Sequence, residues 1–102
     1  MVNPSIQQLE RHIRNCAAVD ANVGFTNHAN EQMLERFINI PMVMEALRVG
    51  RIYMTPEPDM RFPGLKCRME RFVSGMNVAV VVAVQYPQPD LTVITVIDVK
   101  KV

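Results

Sequence analysis

The hydrophobic positions of this chain repeat with a helical period up to Val49 and with a strand period after it. The first of three predicted helices has apolar residues three or four positions apart, at Ile6, Leu9, Ile13, Cys16 and Ala17. Asn3 can cap this helix with Pro4 at its first position, or Ser5 can form a capping box with Gln8. We expect its apolar side to pack on the rest of the protein.

Two shorter helices are predicted to follow. Thr26 or Asn27 can cap the second helix, which should end near Asn39 because a proline at position 41 disfavours helical geometry in the preceding residue. Its buried stripe is predicted to be Ala29, Met33, Phe37 and Ile40. The third helix runs from about Pro41 to Val49, and we expect Gly50 to end it in the left-handed conformation.

Strand patterns occupy the second half of the chain. Leu65 to Val73 alternates, with Cys67 and Met69 on one face and Lys66 and Arg68 on the other. Further strands are predicted at 51–54, 78–85 and 91–99, separated by a proline-rich loop at 55–64 and by turns at 74–77 and 86–90. Helices followed by an antiparallel meander of about four strands predict an α+β fold. We expect residues 1–102 to form one domain.

Composition excludes several classes of protein. Of the 102 residues, 49% are hydrophobic and 21% are charged, which is typical of a globular domain. No apolar run is long enough to span a membrane, and the N-terminus lacks a signal-peptide pattern, so we predict a cytoplasmic protein without a membrane partner. Cys16 and Cys67 are expected to be buried thiols. His12 and Cys16 have the spacing of two metal ligands, but no third ligand is apparent, so we predict neither a metal nor a cofactor.

Positive charge is concentrated in the middle of the chain. The net charge is +1, but residues 46–72 hold six cations against three anions: Arg48, Arg51, Arg61, Lys66, Arg68 and Arg71 against Glu57, Asp59 and Glu70. Such a patch can bind phosphate, and it is equally typical of a solvated surface.

The predicted second helix carries a line of polar side chains that could take part in chemistry. His28, Gln32 and Arg36 are four residues apart and therefore form one line along the helix. Imidazole, carboxamide and guanidinium groups would lie beside the apolar stripe.

Residues 25–98 resemble a small bacterial family of domains of unknown function that is grouped with BrnT-, RelE- and ParE-like toxins. The resemblance lies in His28-Ala29, Met33, Glu35-Arg36, Ile38, Ala46-Leu47, Gly50 and Ile94-Thr95-Val96. The helix within residues 1–20 is an addition outside it. Two features depart from the family: Gln32 stands where an arginine is usual, and the net charge is lower than in ribosome-dependent RelE-like toxins.

The resemblance implies a RelE-like fold with helices packed on a curved antiparallel sheet, over which RNA is cleaved. RNA and a cognate antitoxin protein would be the partners. Metal-independent cleavage requires a base for the 2′-hydroxyl and cations for the phosphate. The candidate catalytic residues are His28, Arg36, Arg68 and Thr95. The candidate RNA-binding residues are Arg51, Arg61, Lys66 and Tyr53, with Phe62 as an alternative to Tyr53 for stacking on a base.

A non-catalytic protein-binding or regulatory domain on the same fold, such as one encoded by a mobile element, is the alternative function. In that case His28 caps its helix or bonds to the sheet, Arg36 pairs with Glu31 or Glu35, and Thr95 is a strand former. Clustering of His28, Arg36 and Arg68 in one cleft would favour an enzyme. Their dispersal, or a large exposed apolar patch, would favour a binding domain. The sequence leaves the oligomeric state open.

Overall fold

A computed structural model describes residues 4–100 and shows three α-helices and a six-stranded mixed sheet within that range, which confirms the α+β class. The helices are α1 (Ile6–Ala17), α2 (Asn27–Arg36) and α3 (Ile40–Val49). The strands are β1 (Val23–Phe25), β2 (Arg51–Ile52), β3 (Glu57–Pro58), β4 (Leu65–Val73), β5 (Met76–Val84) and β6 (Leu91–Asp98). A short 3-10 turn, Asp20–Asn22, leads into β1.

The strand order is β1-β6-β5-β4-β2, and β3 pairs with β4. All pairs are antiparallel except β1 with β6, which is parallel. The sheet therefore has six strands instead of about four, and one pair is parallel although an antiparallel sheet was predicted. β1 and β3 are three and two residues long, too short to show a period of their own.

Local capping explains where the helices begin and end. Ser5 forms the capping box with Gln8, whereas Asn3 lies outside the described residues. Thr26 caps α2, which ends at Arg36 because Phe37 adopts a left-handed conformation (φ 57°). The predicted end near Asn39 is therefore wrong. Asn39 instead caps α3, whose first turn tolerates the proline at position 41 because its amide would have no partner there.

Gly50 follows α3 with φ −76°, so the predicted left-handed cap is wrong. The reason for a glycine is close approach of two backbone segments. A Cβ at this position would lie 2.2 Å from the carbonyl oxygen of Ala46 and 2.8 Å from that of Glu70. Gly50 therefore lets the end of α3 lie against β4.

The β4–β5 hairpin forms where the sequence predicts, but its turn is Ser74-Gly75 alone, because Met76 and Asn77, predicted to lie in the turn, belong to β5. Ser74 and Gly75 both have positive φ, as a two-residue type I′ turn requires. Along β4, Cys67, Met69 and Val73 are buried, which confirms the alternation. These side chains face a hydrophobic core shared with α1, α2, α3, β5 and β6.

The other face of the sheet carries no helix of the described range. We call it the open face and define it by Arg51 on β2, Lys66, Arg68, Glu70 and Phe72 on β4, Val81 on β5, and Thr95 and Ile97 on β6. None of the helices between residues 4 and 100 is long and apolar enough to cross a membrane.

Both cysteines are free and buried, which confirms their interpretation as buried thiols. Burial raises the pKa of the Cys67 thiol to about 11. Burial, and to a smaller extent the charge of Asp90, raise the pKa of Cys16. Both groups therefore remain protonated thiols at neutral pH, and only the thiolate is a good nucleophile.

We expect neither cysteine of the folded protein to be alkylated by iodoacetamide at neutral pH within a time that labels both in guanidinium chloride. The pKa of Cys67 is raised above its ordinary value of 9.0 in the folded protein, so folding favours the protonated thiol. The stability that this preference adds is complete below pH 9 and is lost as the pH rises toward 11. Peptide mass spectrometry measures the labelling. Equal labelling rates of Cys67 in folded and unfolded protein would contradict its burial.

Candidate functional site

Arg68, Val81 and Thr95 form one row across the open face. Arg68 is the cross-strand partner of Val81, and Val81 is the partner of Thr95. Directly opposed residues point to the same side of a sheet, so Arg68 and Thr95 share this face two strand spacings apart, about 10 Å. The distance suits an extended ligand better than a single small anion.

Two further candidate cations belong to the same face. Lys66 lies two residues before Arg68 on β4, and Arg51 on β2 is opposite Glu70. The structure thus brings Arg51, Lys66, Arg68 and Thr95, half of the eight predicted site residues, onto one surface.

Carboxylates on the open face partly neutralise its cations. Lys66 Nζ lies 3.5 Å from Glu57 Oε1, and Arg68 Nε lies 3.2 Å from Glu70 Oε2. The Arg68–Glu70 contact lacks hydrogen-bond geometry, which leaves the buried Nε without a hydrogen-bond partner among the described residues. A phosphate would have to compete with these carboxylates for Lys66 and Arg68, whereas Arg51 is exposed.

A shallow pocket of about 160 Å³ lies between the segment after β2 and the open face. We call it the Arg68 pocket, and it is lined by Met54, Thr55, Glu57, Lys66, Arg68 and Val81. It contains the ion pair between Lys66 and Glu57.

The N-cap residue Thr26 and the α2 residue Gln32 attach this helix to the edge of β6, at positions after those that pair with β1. The hydroxyl of Thr26 donates to the carbonyl of Ile94 (3.3 Å) and accepts from the amide of Ala29 (3.1 Å). The Oε1 atom of Gln32 accepts from the amide of Val96 (2.8 Å). The helix therefore runs beside Ile94–Val96, the segment that contains Thr95.

His28 lies between these two attachments, and its side chain is exposed. At 3.6 residues per turn it is rotated about 40° from Gln32, whereas Ala29 is rotated about 60° the other way. Because Ala29 faces the core, this rotation directs His28 away from the core, on the part of α2 that runs beside β6. Thr26 caps α2, so the alternative that His28 caps this helix is wrong.

Three further predicted residues neither line the Arg68 pocket nor belong to the open face as defined above. Arg36 is one turn beyond Gln32, and its buried Nη1 atom lies 4.0 Å from Glu35 Oε2 and has no hydrogen-bond partner among the described residues. Tyr53 is exposed directly after β2. Arg61 is exposed in the loop before β4, where the amides of Arg61 and Phe62 donate to Asp59 and lower the pKa of that carboxyl.

Gln32 has a structural role that its sequence position did not indicate. Its polar side chain is buried, and it accepts a hydrogen bond from a backbone amide of β6. An arginine has no acceptor atom and could not make this bond. The glutamine therefore completes the hydrogen bonding of a strand edge.

An exposed apolar surface at the junction of α2 and α3 was missed by the sequence interpretation. Phe37 and Ile40, predicted to be buried, are 88% and 53% exposed, and Leu34 is 80% exposed. The left-handed turn at Phe37 breaks the helical spacing on which the prediction rested. Beside them lies a groove of about 490 Å³, here called the α2–α3 groove, lined by Asn30, Met33, Leu34, Ile38, Asn39 and Ile40. Leu34, an apolar residue outside the buried stripe, was the available signal.

In the His12 and Cys16 pair on α1, the imidazole of His12 is already in contact with other protein atoms. The Nε2 atom of His12 lies 2.8 Å from the carbonyl oxygen of Gln88 and 3.4 Å from the sulfur of Cys16. Within residues 4–100, no three side chains of His, Cys, Asp or Glu come together as a metal site would require.

These features define a small α+β domain with helices on one face of its sheet and a mixed-charge open face on the other. Residues 25–98 match the family DUF4258, a domain of unknown function, and the chain belongs to this family. The predicted resemblance to a family of unknown function over these residues is thereby confirmed. No curated protein and no solved structure matches the chain significantly.

Proposed function

We propose that this domain is a toxin-type, metal-independent endoribonuclease that holds RNA against its open face. The observation that supports this most is the row formed by Arg68 and Thr95, with Arg51 and Lys66 on the same face. Thr26 and Gln32, on either side of His28, bond to Ile94 and Val96, so in this proposal the imidazole reaches the edge of that face near Thr95. An RNA strand crossing the sheet would meet cations first and the imidazole last.

In this proposal His28 takes the proton of a 2′-hydroxyl, and the resulting oxyanion attacks the adjacent phosphorus. The bond from phosphorus to the 5′ oxygen breaks, and water protonates the leaving oxygen. Arg68 binds the phosphate oxygens as their charge develops, and Thr95 orients the substrate. No metal or other cofactor takes part in these steps.

The same proposal assigns lesser roles to the remaining candidates. Arg51 and Lys66 hold the RNA backbone, Arg61 and Tyr53 contact flanking nucleotides, and Arg36 supports α2 from its C-terminal end. A cognate antitoxin would inhibit the enzyme by covering the open face. A cytoplasmic location follows because the RNA substrate is there.

The test is induced expression of the wild type, His28→Ala and Arg68→Ala, with growth and total RNA integrity as readouts. We expect the wild type to arrest growth and cleave RNA, and each substitution to reduce cleavage at least about tenfold because it removes the base or the phosphate-binding cation. Arg71→Ala, which removes an exposed arginine from the helix-covered face of β4, is the matched control.

Circular dichroism must show that all four proteins fold. Normal growth and intact RNA with folded wild-type protein would reject the ribonuclease. Equal cleavage by the wild type and His28→Ala would reject His28 as the base.

A non-catalytic protein-binding domain is the second candidate function. Arg36 does not line the Arg68 pocket, and a large apolar surface is exposed at the junction of α2 and α3. Both observations support protein binding as this second candidate.

A further inference from the structure

A second polar pocket lies between α1 and the connection from β5 to β6. We call it the α1 pocket; its volume is about 190 Å³, and it is lined by Gln8, Arg11, His12, Asn15 and Tyr86. Gln8, Arg11 and Asn15 are three or four residues apart and therefore form one line along α1. Because α1 precedes the family region, the pocket is formed where this additional helix meets the family domain.

Hydrogen-bond donors predominate in the α1 pocket. Arg11 supplies a guanidinium, and the carboxamide of Asn15 and the hydroxyl of Tyr86 can both donate. The Oε1 atom of Gln8 accepts from the amide of Ser5 at 2.7 Å, which leaves the NH2 group of Gln8 for another acceptor. None of the described residues that line the pocket carries a carboxylate. The pocket therefore offers several donors to a ligand that accepts.

The positive charge of Arg11 is not neutralised by a neighbour. Among residues 4–100, Arg11 forms no ion pair with a carboxylate. The adjacent Glu10 is directed toward β2, where its Oε2 atom accepts from the amide of Ile52 at 2.8 Å. Asp90 is close enough to raise the pKa of Cys16, but it does not line the pocket. The α1 pocket is therefore suited to a negatively charged group.

Contacts within the protein hold both walls of the pocket in place. The amide of Gln8 donates to Ser5 Oγ at 3.1 Å, which completes the capping box. The Nε2 atom of His12 donates to the carbonyl of Gln88 at 2.8 Å, and the ring of Tyr86 packs edge-on against the imidazole with centroids 5.0 Å apart. A ligand would therefore find these groups already positioned, which lowers the entropic cost of binding.

We propose that the α1 pocket binds a small phosphate ester. The planar guanidinium of Arg11 would bind two phosphate oxygens, and Gln8, Asn15 and Tyr86 would donate to the remaining oxygen atoms. A carboxylate has only two oxygens and would leave several of these donors unused. A metal ion would be repelled by Arg11 and would find few acceptors.

The volume of the pocket favours an ester over free phosphate. A cavity of about 150 Å³ holds a benzene ring, so about 190 Å³ leaves space beside a phosphate group for a small organic part. The proposal does not rest on the ribonuclease, because α1 packs on the helix-covered face of the sheet and contributes no residue to the open face.

The test is a titration of the isotope-labelled protein with glycerol phosphate, followed by NMR at constant pH and ionic strength. We expect saturable shifts of the side-chain NH2 signals of Gln8 and Asn15 and of the Nε–H signal of Arg11. Inorganic phosphate should bind about threefold more weakly because it lacks the organic part. Acetate should bind at least about tenfold more weakly because it accepts fewer hydrogen bonds.

Three variants connect the binding to the named side chains. Arg11→Gln should weaken the binding of glycerol phosphate at least about tenfold, because it removes the charge and the planar fork. Tyr86→Phe should weaken it about threefold, because one donor is lost while the ring remains against His12. Arg71→Gln removes an exposed arginine that pairs with Glu45 of α3, and this matched control should bind as the wild type does.

The remaining outcomes overturn the proposal. No saturable shift at the α1 pocket, or equal affinity of Arg11→Gln and the wild type, would reject the site. Equal affinity for acetate would reject phosphate as the recognised group, and equal affinity for inorganic phosphate would reject the ester. Shifts confined to Arg51, Lys66 and Arg68 would move phosphate binding to the open face, which contradicts this proposal and leaves the ribonuclease unaffected.

Discussion

Gly50→Ala is expected to reduce the free energy of unfolding by more than about 3 kcal/mol. The added Cβ would lie 2.2 Å from the carbonyl oxygen of Ala46 and 2.8 Å from that of Glu70, and both neighbours are backbone atoms. The carbonyl of Gly50 also accepts a hydrogen bond from Arg14 Nη2 at 2.7 Å, so a shift of this residue would disturb the contact between α1 and α3. Relief of the two overlaps requires residue 50 to shift relative to the last turn of α3 and that turn to move away from β4.

Urea unfolding followed by circular dichroism measures this effect, and Gly75→Ala is the matched control. Gly75 has φ 78°, but a Cβ there would meet no atom within 4 Å. Its substitution should cost only about 1 kcal/mol, the penalty of a left-handed conformation. A loss for Gly50→Ala no greater than that for Gly75→Ala would contradict the close approach.

Gly50 also shows what the sequence could and could not predict. A glycine after an apolar helix correctly indicates where α3 ends, because the position needs a residue without a Cβ. The reason lies in a strand some twenty residues later, since Glu70 supplies one of the two obstructing atoms. Local sequence carries no information about such a neighbour.

The same distinction applies to the sheet. The bounds of β4 agree with the predicted 65–73, because one buried face imposes a strict alternation on nine residues. β1 is held instead by its parallel pairing with Leu91, Thr92 and Val93 at the far end of the chain. Its three residues have too little pattern to reveal that partner.

The candidate site, too, was predictable only where a local sequence pattern determines the position of a residue. Alternation was sufficient to place Lys66 and Arg68 on the polar face of β4. Their relation to Thr95 depends on the register of two hairpins and on an irregularity between Val81 and Val82, which no local pattern encodes. The exposure of Phe37 depends on one backbone conformation, and helical spacing predicted the opposite.

Gln32→Leu is expected to reduce the free energy of unfolding by about 1–3 kcal/mol. Leucine fills the buried site, but it leaves the amide of Val96 without the acceptor that Gln32 Oε1 provides at 2.8 Å. Native-state hydrogen exchange measures this contact directly. The Val96 amide should exchange slowly in the wild type and faster than its β6 neighbours in the variant. Unchanged protection of Val96 in Gln32→Leu would contradict the role of this bond.

Gln32→Arg separates the structural role of this residue from a catalytic one. Arginine also lacks an acceptor and adds a charge at a buried position, so the loss of stability should be at least as large as for leucine. If the open face cleaves RNA and needs another cation beside His28, the arginine variant should cleave faster in spite of its lower stability. If cleavage does not increase, an arginine at this position is not required here. Gln32 would then mark the way this chain closes the edge of β6, and its presence would say nothing about lost activity.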